Sequence, residues 1–322
     1  MPTREKWLVG NSGWGLGGLV GFFLISLWDF NSYVLILSNG LKVSSMRDER
    51  DLAATLGVQS NLLVGRGVSE IETHPDRIVL HMPEEPFCWS GNMVFFRGDK
   101  VDPEAQIAQF RKDFPKAAHT MLGWDAPDMT IGAEHSAFTD LGYELEQMDV
   151  LSLTSPLNCF AVPEGIVIRP IVSEEDWEQV IALQIDTAVE QGYDRDSFGA
   201  YTRTRFEARR RQVQEGSLNW FGAFDGDLLV ADLGIYRDAV VSRFQEVETR
   251  PSHRKRGICA ALVTVGVDWA KAEFPATVPV LQAFSDGPAG RIYRRCGFEH
   301  RETLVMAILP PQGTYERPEE DA

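Results

Sequence analysis

Cysteine is scarce in this sequence, and the few cysteines are scattered. The 322 residues include Cys88, Cys159, Cys259 and Cys296, with neither a C-x-x-C pair nor a His/Cys cluster at metal-binding spacing. This pattern predicts a reduced, cytoplasmic compartment and no structural metal.

The sequence also has fewer basic residues than acidic ones. Lys and Arg number 31 against 47 Asp and Glu, which gives a formal net charge of -16. A nucleic-acid partner is disfavoured on this ground, because phosphate binding needs a surplus of Lys and Arg on one face. A cationic or amine-bearing small molecule is a better candidate partner, and the simplest explanation of the charge is a solvated acidic surface.

The sequence lacks a clear membrane-spanning run. The candidate, WGLGGLVGFFLISLW from Trp14 to Trp28, is closed by Asp29 and falls short of the roughly 20 residues of a spanning helix. No small-x-small cleavage site follows it, so no signal peptide and no membrane contact are expected. The composition changes at Met46, and residues 1–45 either precede the true start or form a hydrophobic extension.

The composition is that of a globular protein, with 44% hydrophobic and 24% charged residues. At roughly 100 to 200 residues per domain, the length favours two domains. The segment TSPLNCFAVPEG, from Thr154 to Gly165, has two prolines and a glycine and is the best linker candidate. We therefore predict domains at 46–155 and 165–311, a linker at 156–164, and a disordered acidic tail at 312–322.

Hydrophobic periodicity divides the first domain into helices and strands. A polar helix is expected from Met46. Asp102, as N-cap, and Pro103, in the first turn, open a second helix. Strands are expected at Arg77–Met82, Trp89–Phe96, His119–Trp124 and Glu144–Leu153, with a short helix near Glu134–Leu141.

Strands and helices also alternate in the second domain. Ser173 opens its first helix with a capping box in which Asp176 replaces the usual Glu or Gln. The residues 225–227, Asp-Gly-Asp, have the composition of a tight hairpin turn. Strands are expected at Ile166–Arg169, Leu218–Phe224, Leu228–Tyr236, Phe244–Thr249, Val278–Phe284 and Arg301–Leu309, and helices at Asp196–Glu215, Gly257–Phe274 and Pro288–Arg295.

A basic, glycine-containing turn leads into the helix at Gly257. Its sequence, from Arg250 to Ala260, is RPSHRKRGICA. Such a turn presents unpaired backbone N–H groups and the positive end of the helix dipole, which together form a site for a pyrophosphate. A solvated basic turn that bends at Gly257 has the same sequence, so the turn alone does not decide between the two.

The order of elements around this turn resembles the GNAT superfamily of acetyl-CoA-dependent N-acetyltransferases. The family signature [RQ]-x-x-G-x-[GA] is matched by Arg254, Gly257 and Cys259, with a small cysteine in the last position. A second family signature, a Tyr followed four residues later by Gly-Phe, is matched by Tyr293 and Gly297-Phe298. The strands and helices on either side extend the resemblance over the whole second domain.

This resemblance implies an α+β fold of the α/β three-layer type, with two GNAT-like mixed-sheet domains in tandem, each a central, mostly antiparallel sheet flanked by helices. It implies acetyl-CoA as co-substrate and no metal. The acceptor amine attacks the thioester directly, and Tyr293 protonates the departing thiolate. The implied cofactor contacts are Val247, Glu248 and Thr249 on a splayed strand, the turn residues Arg254, Lys255, Arg256, Gly257, Ile258, Cys259 and Ala260, and Asp286, at a position where the family usually has Asn.

Glu246 and Glu248 are the candidate general bases. Both precede the turn on a predicted strand, and a period of two places their side chains on one face. Either carboxylate can take the acceptor's proton, and either can equally face solvent. In the loop between the first two helices, Asp194 is a candidate for holding a cationic acceptor, with a helix cap as its simpler role. No covalent enzyme intermediate is needed, so Cys259 and Cys296 are interpreted as packing residues.

The first domain resembles a degenerate copy of the second. FTDLGYE, from Phe138 to Glu144, has the spacing of Tyr293 through Glu299, and an apolar strand follows in both. Phe138 stands at the position of the tyrosine and cannot donate a proton. Nothing in the first domain matches R-x-x-G-x-small. We predict a silent copy that covers a sheet edge and shapes the acceptor pocket, with an unrelated α+β lid domain as the alternative.

The sequence therefore predicts a cytoplasmic tandem-GNAT enzyme that transfers an acetyl group from acetyl-CoA to a primary amine of a small molecule in a ternary complex. One alternative is acetylation of a protein or peptide amine, which predicts an open groove. The other is a non-catalytic acyl-CoA-binding module, which needs the turn but not Tyr293. The expected oligomeric state is a monomer or homodimer.

Overall fold

Seven α-helices and eleven strands occur in the part of the chain that the computed structural model describes, residues 52–86, 88–285 and 287–311. The expectations for residues 1–45, Asp286 and 312–322 lie outside the described residues. The helices are α1 (Leu56–Gly65), α2 (Pro103–Asp113), α3 (Ser136–Asp140), α4 (Glu174–Glu190), α5 (Arg195–Gln214), α6 (Ile258–Glu273) and α7 (Pro288–Arg295). The strands are β1 (Glu70–Thr73), β2 (Arg77–His81), β3 (Met93–Arg97), β4 (Thr120–Asp125), β5 (Glu144–Ser152), β6 (Ile166–Pro170), β7 (Leu218–Asp225), β8 (Leu228–Arg237), β9 (Val241–Thr249), β10 (Val278–Phe284) and β11 (Glu299–Leu309).

Local capping signals determine where several helices begin. Asp102 accepts a hydrogen bond from Ala105 N at the start of α2, with Pro103 in the first turn. Ser173 and Asp176 form the predicted capping box at the start of α4. These side chains satisfy amides that the first helical turn leaves without partners, so both predicted helix starts are confirmed.

All eleven strands join one sheet, in the order β1-β2-β3-β4-β11-β5-β10-β9-β8-β7-β6. Neighbours pair antiparallel, except that β3 with β4 and β9 with β10 are parallel. Each half of the chain places its last strand in the sheet of the other half. β5 lies between β11 and β10, and β11 lies between β4 and β5. The predicted α+β fold with a mixed, mostly antiparallel sheet is confirmed, and the boundary at 156–164 stays a prediction.

Helices cover both faces of this sheet. On one face, α1, α4 and α5 contribute buried side chains to one shared core. On the other face, α2 and α3 pack over the first strands, and α6 and α7 pack over the last ones. Helix α1 belongs to the first half but contacts β8, β9 and β11. The first half therefore contributes directly to the surroundings of β9, where the predicted site lies.

Two local predictions for the first half are wrong in part. The first helix begins at Leu56, after its N-cap Thr55, and the described residues just before the cap are not helical. The strand expected at Trp89–Phe96 begins only at Met93, because a 3₁₀ turn occupies Trp89–Gly91. Asn92 holds that turn: its Nδ2 donates to the carbonyl oxygens of Glu85 and Cys88 at 2.9 and 2.8 Å. Such long-range and side-chain bonds have no signature in hydrophobic periodicity.

Asp125, at the end of β4, is expected to stabilise the start of α1. Its carboxylate accepts hydrogen bonds from Ala54 N at 2.8 Å and from Thr55 N and Thr55 Oγ1, both at 2.9 Å. We expect Asp125→Ala to lower the free energy of unfolding by about 3 kcal/mol, because it leaves these donors without an acceptor. Urea denaturation measures the change. Asp128→Ala, at an exposed position nearby, is the control and should change it by less than about 0.5 kcal/mol. Equal losses would contradict the role of Asp125.

Candidate active site

A gap between β9 and β10 is the central feature of the candidate site. The two strands pair only through residues 241–243 and 278–280. Beyond that point β10 pairs with β5 from the first half, while β9 continues to Thr249 along β8. Among the described strands, none pairs with the β10-facing edge of β9 after Arg243. This edge can accept hydrogen bonds from, and donate them to, an extended ligand.

The pairing of β9 with β8 decides which backbone groups face the gap. Arg250 N donates to Val230 O on β8 at 2.8 Å. Because the hydrogen-bonding direction alternates along a strand, Thr249 and Val247 direct their backbone groups to the other side, into the gap. The backbone of Glu248 faces β8, where Glu248 pairs with Asp232. Of the three predicted arm contacts, the geometry therefore favours Val247 and Thr249 for the backbone bonds.

Glu246 interrupts the alternation of β9 with a β-bulge. Its φ of 55° is left-handed, and the pairing register with β8 shifts between Asp232 and Gly234. Gln184 on α4 supports the bulge, since its Nε2 donates to the carbonyl oxygen of Glu246 at 3.2 Å. A non-glycine residue in this conformation costs about 1–2 kcal/mol, which the surrounding contacts must offset. The bulge bends β9 away from β10 and so contributes to the gap.

The turn between β9 and α6 presents backbone amides without protein acceptors. Lys255 and Gly257 have left-handed φ values of 63° and 82°. Gly257 is the N-cap of α6 and makes no side-chain capping bond. The first amide to bond back is Ala261 N, to Gly257 O at 3.1 Å. In the described chain the amides from Lys255 to Ala260 donate to no protein group, which is the arrangement that a pyrophosphate needs.

The side chains of the turn have other partners. Both terminal nitrogens of Arg254 donate to the carboxylate of Glu190, at the end of α4, at 2.8 and 2.5 Å. Its Nε donates to Thr249 O at 3.0 Å. Arg254 thus ties the turn to α4, and its predicted role is best served by positioning the turn. Lys255 is exposed, and Arg256 lies 3.5 Å from Asp225 Oδ2. The predicted contact Asp286 lies outside the described residues.

Tyr293, on α7, is buried in the core that α6 and α7 form with the sheet. Its side chain is only 4% exposed. Burial raises the pKa of Tyr293 well above its usual value, Cys259 and Glu248 add to this rise, and Arg243 opposes it. The hydroxyl is therefore protonated at neutral pH, which a proton donor to a thiolate requires. Tyr293 belongs to the same core cluster as Phe244 and Val247 of β9, which places it beside the gap.

Glu248 has the properties of a general base for neutral pH. Burial raises the pKa of Glu248 to about 7, with Arg254 opposing the rise and Glu246 and Glu190 adding to it. A base is most effective when its pKa lies near the working pH. Glu248 is therefore the better of the two candidate bases.

Asp232 lies opposite Glu248 on β8 and was not expected from the sequence. Its carboxylate accepts hydrogen bonds from Trp220 Nε1 at 2.8 Å and from Gln184 Nε2 at 3.0 Å. Burial raises the pKa of Asp232 well above its usual value. We assign Asp232 a positioning role, because the same glutamine also bonds the bulge of β9.

Glu246 belongs to a buried charge cluster beneath α5. Its carboxylate lies 3.2 Å from Arg205 Nη2 and 3.7 Å from Arg209 Nη2. Glu85, from the segment between β2 and β3, faces the same two arginines, and burial raises the pKa of Glu85. Four buried atoms of this cluster, Glu85 Oε2, Glu246 Oε2, Arg205 Nε and Arg209 Nε, have no hydrogen-bond partner in the described chain. Such atoms are rare in protein interiors and mark a place where a polar ligand or water completes the bonding.

Comparison with solved structures identifies the fold. A GCN5-related N-acetyltransferase from Kribbella flavida aligns with a TM-score of 0.54 and 19% identity, over 80% of this chain and 97% of that one. The fold is that of the GCN5-related N-acetyltransferases, the GNAT fold. A functionally unknown protein from Staphylococcus epidermidis aligns with a TM-score of 0.58 and 12% identity, over 76% and 94% of the two chains. No family model and no curated relative matches the sequence.

Within this GNAT fold, the described residues of the first half differ from those of the second at the positions of the candidate site. Phe138, at the position of Tyr293, is fully buried and packs edge-on against Trp124 and Tyr143. A cleft of about 730 Å³ near the end of β4 is lined by four acidic residues, Asp99, Asp125, Asp128 and Glu134. This negative lining is unfavourable for a pyrophosphate. The silence of the first copy stays a prediction.

The two cysteines near the candidate site have the character of packing residues. Burial raises the pKa of Cys259 to about 12 and that of Cys296 to about 11. A thiol that stays protonated at neutral pH is a poor nucleophile. Among the described residues, no group of His, Cys, Asp and Glu side chains has the arrangement of a metal site.

Several residues of this site cannot be recognised from the sequence. Asp232, Glu85 and Arg205 are ordinary strand, loop and helix residues until tertiary packing brings them near β9. The candidate acceptor residue Asp194 lies exposed just before α5, and its carbonyl accepts the amide of Phe198 at 3.0 Å. This position is that of a residue at a helix start, the simpler of its two predicted roles.

Proposed function

We propose that this protein is an N-acetyltransferase that moves an acetyl group from acetyl-CoA to a primary amine of a small molecule. The observation that carries the proposal is the free edge of β9, which leads into the turn of unpaired amides from Lys255 to Ala260. A protonated, buried Tyr293 adjoins that edge. The amides suit a pyrophosphate, the edge suits an extended amide-containing arm, and the tyrosine suits a leaving thiolate.

The residues of the gap account for each proton in a direct transfer. Bound acetyl-CoA supplies the thioester carbonyl. Glu248 takes one proton from the attacking amine, directly or through a water. As the C–N bond forms and the C–S bond breaks, Tyr293 gives its proton to the sulfur. Thr249 and Val247 orient the arm, and the amides at the start of α6 offset the phosphate charge.

The first half favours a small acceptor over a protein chain. Its segment between β2 and β3 lies on α5, where Tyr201 Oη donates to Cys88 Sγ at 3.4 Å and Arg211 Nη2 donates to Glu84 Oε2 at 2.9 Å. Glu85 of the same segment is only 6% exposed beside Arg205 and Arg209. A groove that accepts an extended peptide must stay uncovered along its length, whereas a wall at this place supports a closed acceptor pocket.

A thiol-release assay tests the proposal. Purified full-length protein is mixed with acetyl-CoA and with amino acids, polyamines, aminoglycosides and peptides in turn. We expect release of free CoA only with small amines, together with an acetylated product of the matching mass. Turnover of peptides alone would move the function to protein acetylation. Binding of acetyl-CoA with no turnover of any amine would favour a binding module, and absence of both would remove the cofactor assignment.

Glu248→Gln is expected to remove one limb of the pH–rate profile. In the wild type the ionised carboxylate is the active form, so kcat/KM rises with pH up to about 7, the pKa of Glu248, and then levels until the amine itself titrates. The variant should lose that limb and about 10²-fold in kcat. Glu246→Gln is the matched control two residues away and should keep the limb. A limb near pH 7 that persists in Glu248→Gln would assign the base to another group.

A further inference from the structure

Arg243 is a buried arginine that pairs with no carboxylate among the described residues. It lies on β9, and its side chain is only 5% exposed. Its Nη1 donates to Ser60 Oγ at 3.1 Å, and its Nε and Nη2 donate to Gln245 Oε1 at 3.2 and 3.0 Å. Both partners are neutral.

An unpaired buried cation is unusual, because buried arginines are normally matched by an anion. Arg205 and Arg209 nearby follow that rule, since Glu246 lies within 3.7 Å of both guanidinium groups. Burial lowers the pKa of Arg243 to about 9, so it still carries its charge at neutral pH. The three described bonds use three of its five N–H groups and leave two for a ligand.

The position of Arg243 ties this charge to the reacting end of the gap. Arg243 pairs with Val280, the last pair between β9 and β10, and β5 pairs with the opposite edge of β10. Its side chain lies on the face covered by α1, because Ser60 of that helix binds it. Ser60 Oγ also accepts from Gln282 Nε2 at 3.2 Å. The closed end of the gap is the end where β9 and β10 still pair. At this end, Tyr293 lies on the face of the sheet covered by α6 and α7, and Arg243 lies on the face covered by α1.

We propose that the acceptor amine also carries a carboxylate, and that Arg243 binds this group beside the reacting nitrogen. This inference rests on the proposed acetyl transfer and names its substrate class as amines of the amino-acid type. A carboxylate accepts two parallel N–H bonds from a guanidinium, which fixes the acceptor's orientation as well as its charge. It also supplies the counter-ion that the protein does not provide. The overall negative charge of the chain points toward cationic acceptors, but Arg243 places a buried positive charge at the end of the gap where β9 and β10 pair.

Paired acceptors test the inference. Each L-amino acid is compared with its own carboxamide, which keeps the amine and side chain but lacks the carboxylate charge. With wild type we expect kcat/KM to favour the acids by about 10- to 100-fold, the range that a lost charge-assisted hydrogen bond produces. In Arg243→Gln this ratio should fall close to one, mainly through a higher KM for the acids. Arg243→Lys should keep part of the preference, since lysine keeps the positive charge but cannot donate two parallel N–H bonds to one carboxylate.

Arg237→Gln is the matched control. Arg237 lies on the neighbouring strand β8, and its guanidinium stacks over Trp269 of α6 at 4.1 Å from the ring centroid, on the opposite face of the sheet. Like Arg243→Gln, the control replaces an arginine on a central strand of the sheet. It should keep the preference for acids. Thermal unfolding of all three variants shows whether each is folded. If Arg243→Gln does not fold, the comparison rests on Arg243→Lys against wild type.

The outcomes separate this inference from the function on which it rests. Equal turnover of acids and amides by wild type, or an unchanged ratio in Arg243→Gln, overturns the carboxylate assignment and leaves acetyl transfer standing. Absence of turnover with every amine rejects the proposed function. In that case, calorimetric binding of the same acids and amides in the presence of CoA still decides the role of Arg243. Tighter binding of the acids, lost in the Arg243 variant, supports it, and equal binding overturns it.

Discussion

Tyr293→Phe is expected to lower kcat by about 10²- to 10³-fold while KM for acetyl-CoA changes little. The substitution removes only the hydroxyl, so the ring continues to fill the core beneath α6 and α7. The departing thiolate then has no donor at the closed end of the gap and must be protonated by water. The same thiol-release assay measures the loss, and single-turnover kinetics show whether it falls on the chemical step. A smaller effect at low pH is expected, where solvent supplies protons more readily.

Tyr143→Phe is the matched control for this variant. Tyr143 is also buried, at 5% exposure, and packs against Phe138 in the first half. Its loss should cost stability comparable to that of Tyr293→Phe without reducing kcat. If both variants lose activity in parallel with their thermal stability, the hydroxyl of Tyr293 has a structural role only. If Tyr293→Phe keeps full activity, the thiolate is protonated by another group.

Local chemistry predicted the elements near the site with good accuracy. β10 and α7 have the expected bounds, and α6 differs from its expected bounds by one residue at each end. These elements are short, bounded by Pro or Gly, and strongly periodic, so the information that defines them lies within each segment. The turn at Gly257 and the position of Tyr293 were predicted for the same reason. Each belongs to a contiguous motif whose residue spacing is itself the signal.

Features that depend on distant residues were not predicted. The exchange of β5 and β11 leaves no local trace, because both are apolar strands whatever their neighbours are. The bulge at Glu246 occurs without a glycine, and its support comes from Gln184, 62 residues away. The raised pKa of Glu248 likewise depends on burial by surrounding elements. Sequence reasoning therefore placed two carboxylates on one face and could not choose between them.

The exchanged strands give the first half a structural role beside the candidate site. β5 pairs with the part of β10 that turns away from β9, and Asp149 of β5 binds Arg294 and Ser285, on either side of Asp286. Removal of the first half would take this strand away and leave β10 with an unpaired edge. The first half also supplies Ser60 and Glu85 to the two buried charge sites near the gap. The first half is thus expected to be required for the gap and for the proposed acceptor pocket.

Gly257→Glu is expected to weaken binding of CoA by at least about 100-fold. Gly257 has a φ of 82°, and a Cβ there meets no atom within 4 Å, so the side chain is accommodated and projects from the turn. The new carboxylate stands at the start of α6, where it repels the phosphates and competes for the free amides. Calorimetric titration with CoA measures the loss, and higher salt should narrow the difference from wild type.

Gly142→Glu separates this effect from backbone strain. Gly142, in the first half, has a φ of 85°, and a Cβ there also meets no atom within 4 Å. Glutamate in the left-handed region costs about 1–2 kcal/mol at either position, so both variants should lose similar stability. Only Gly257→Glu should lose CoA binding, because only its turn has the row of unpaired amides. Equal loss of binding in both variants would show that strain is transmitted through the shared sheet. Full binding in Gly257→Glu would place the pyrophosphate elsewhere and remove the observation on which the proposed function stands.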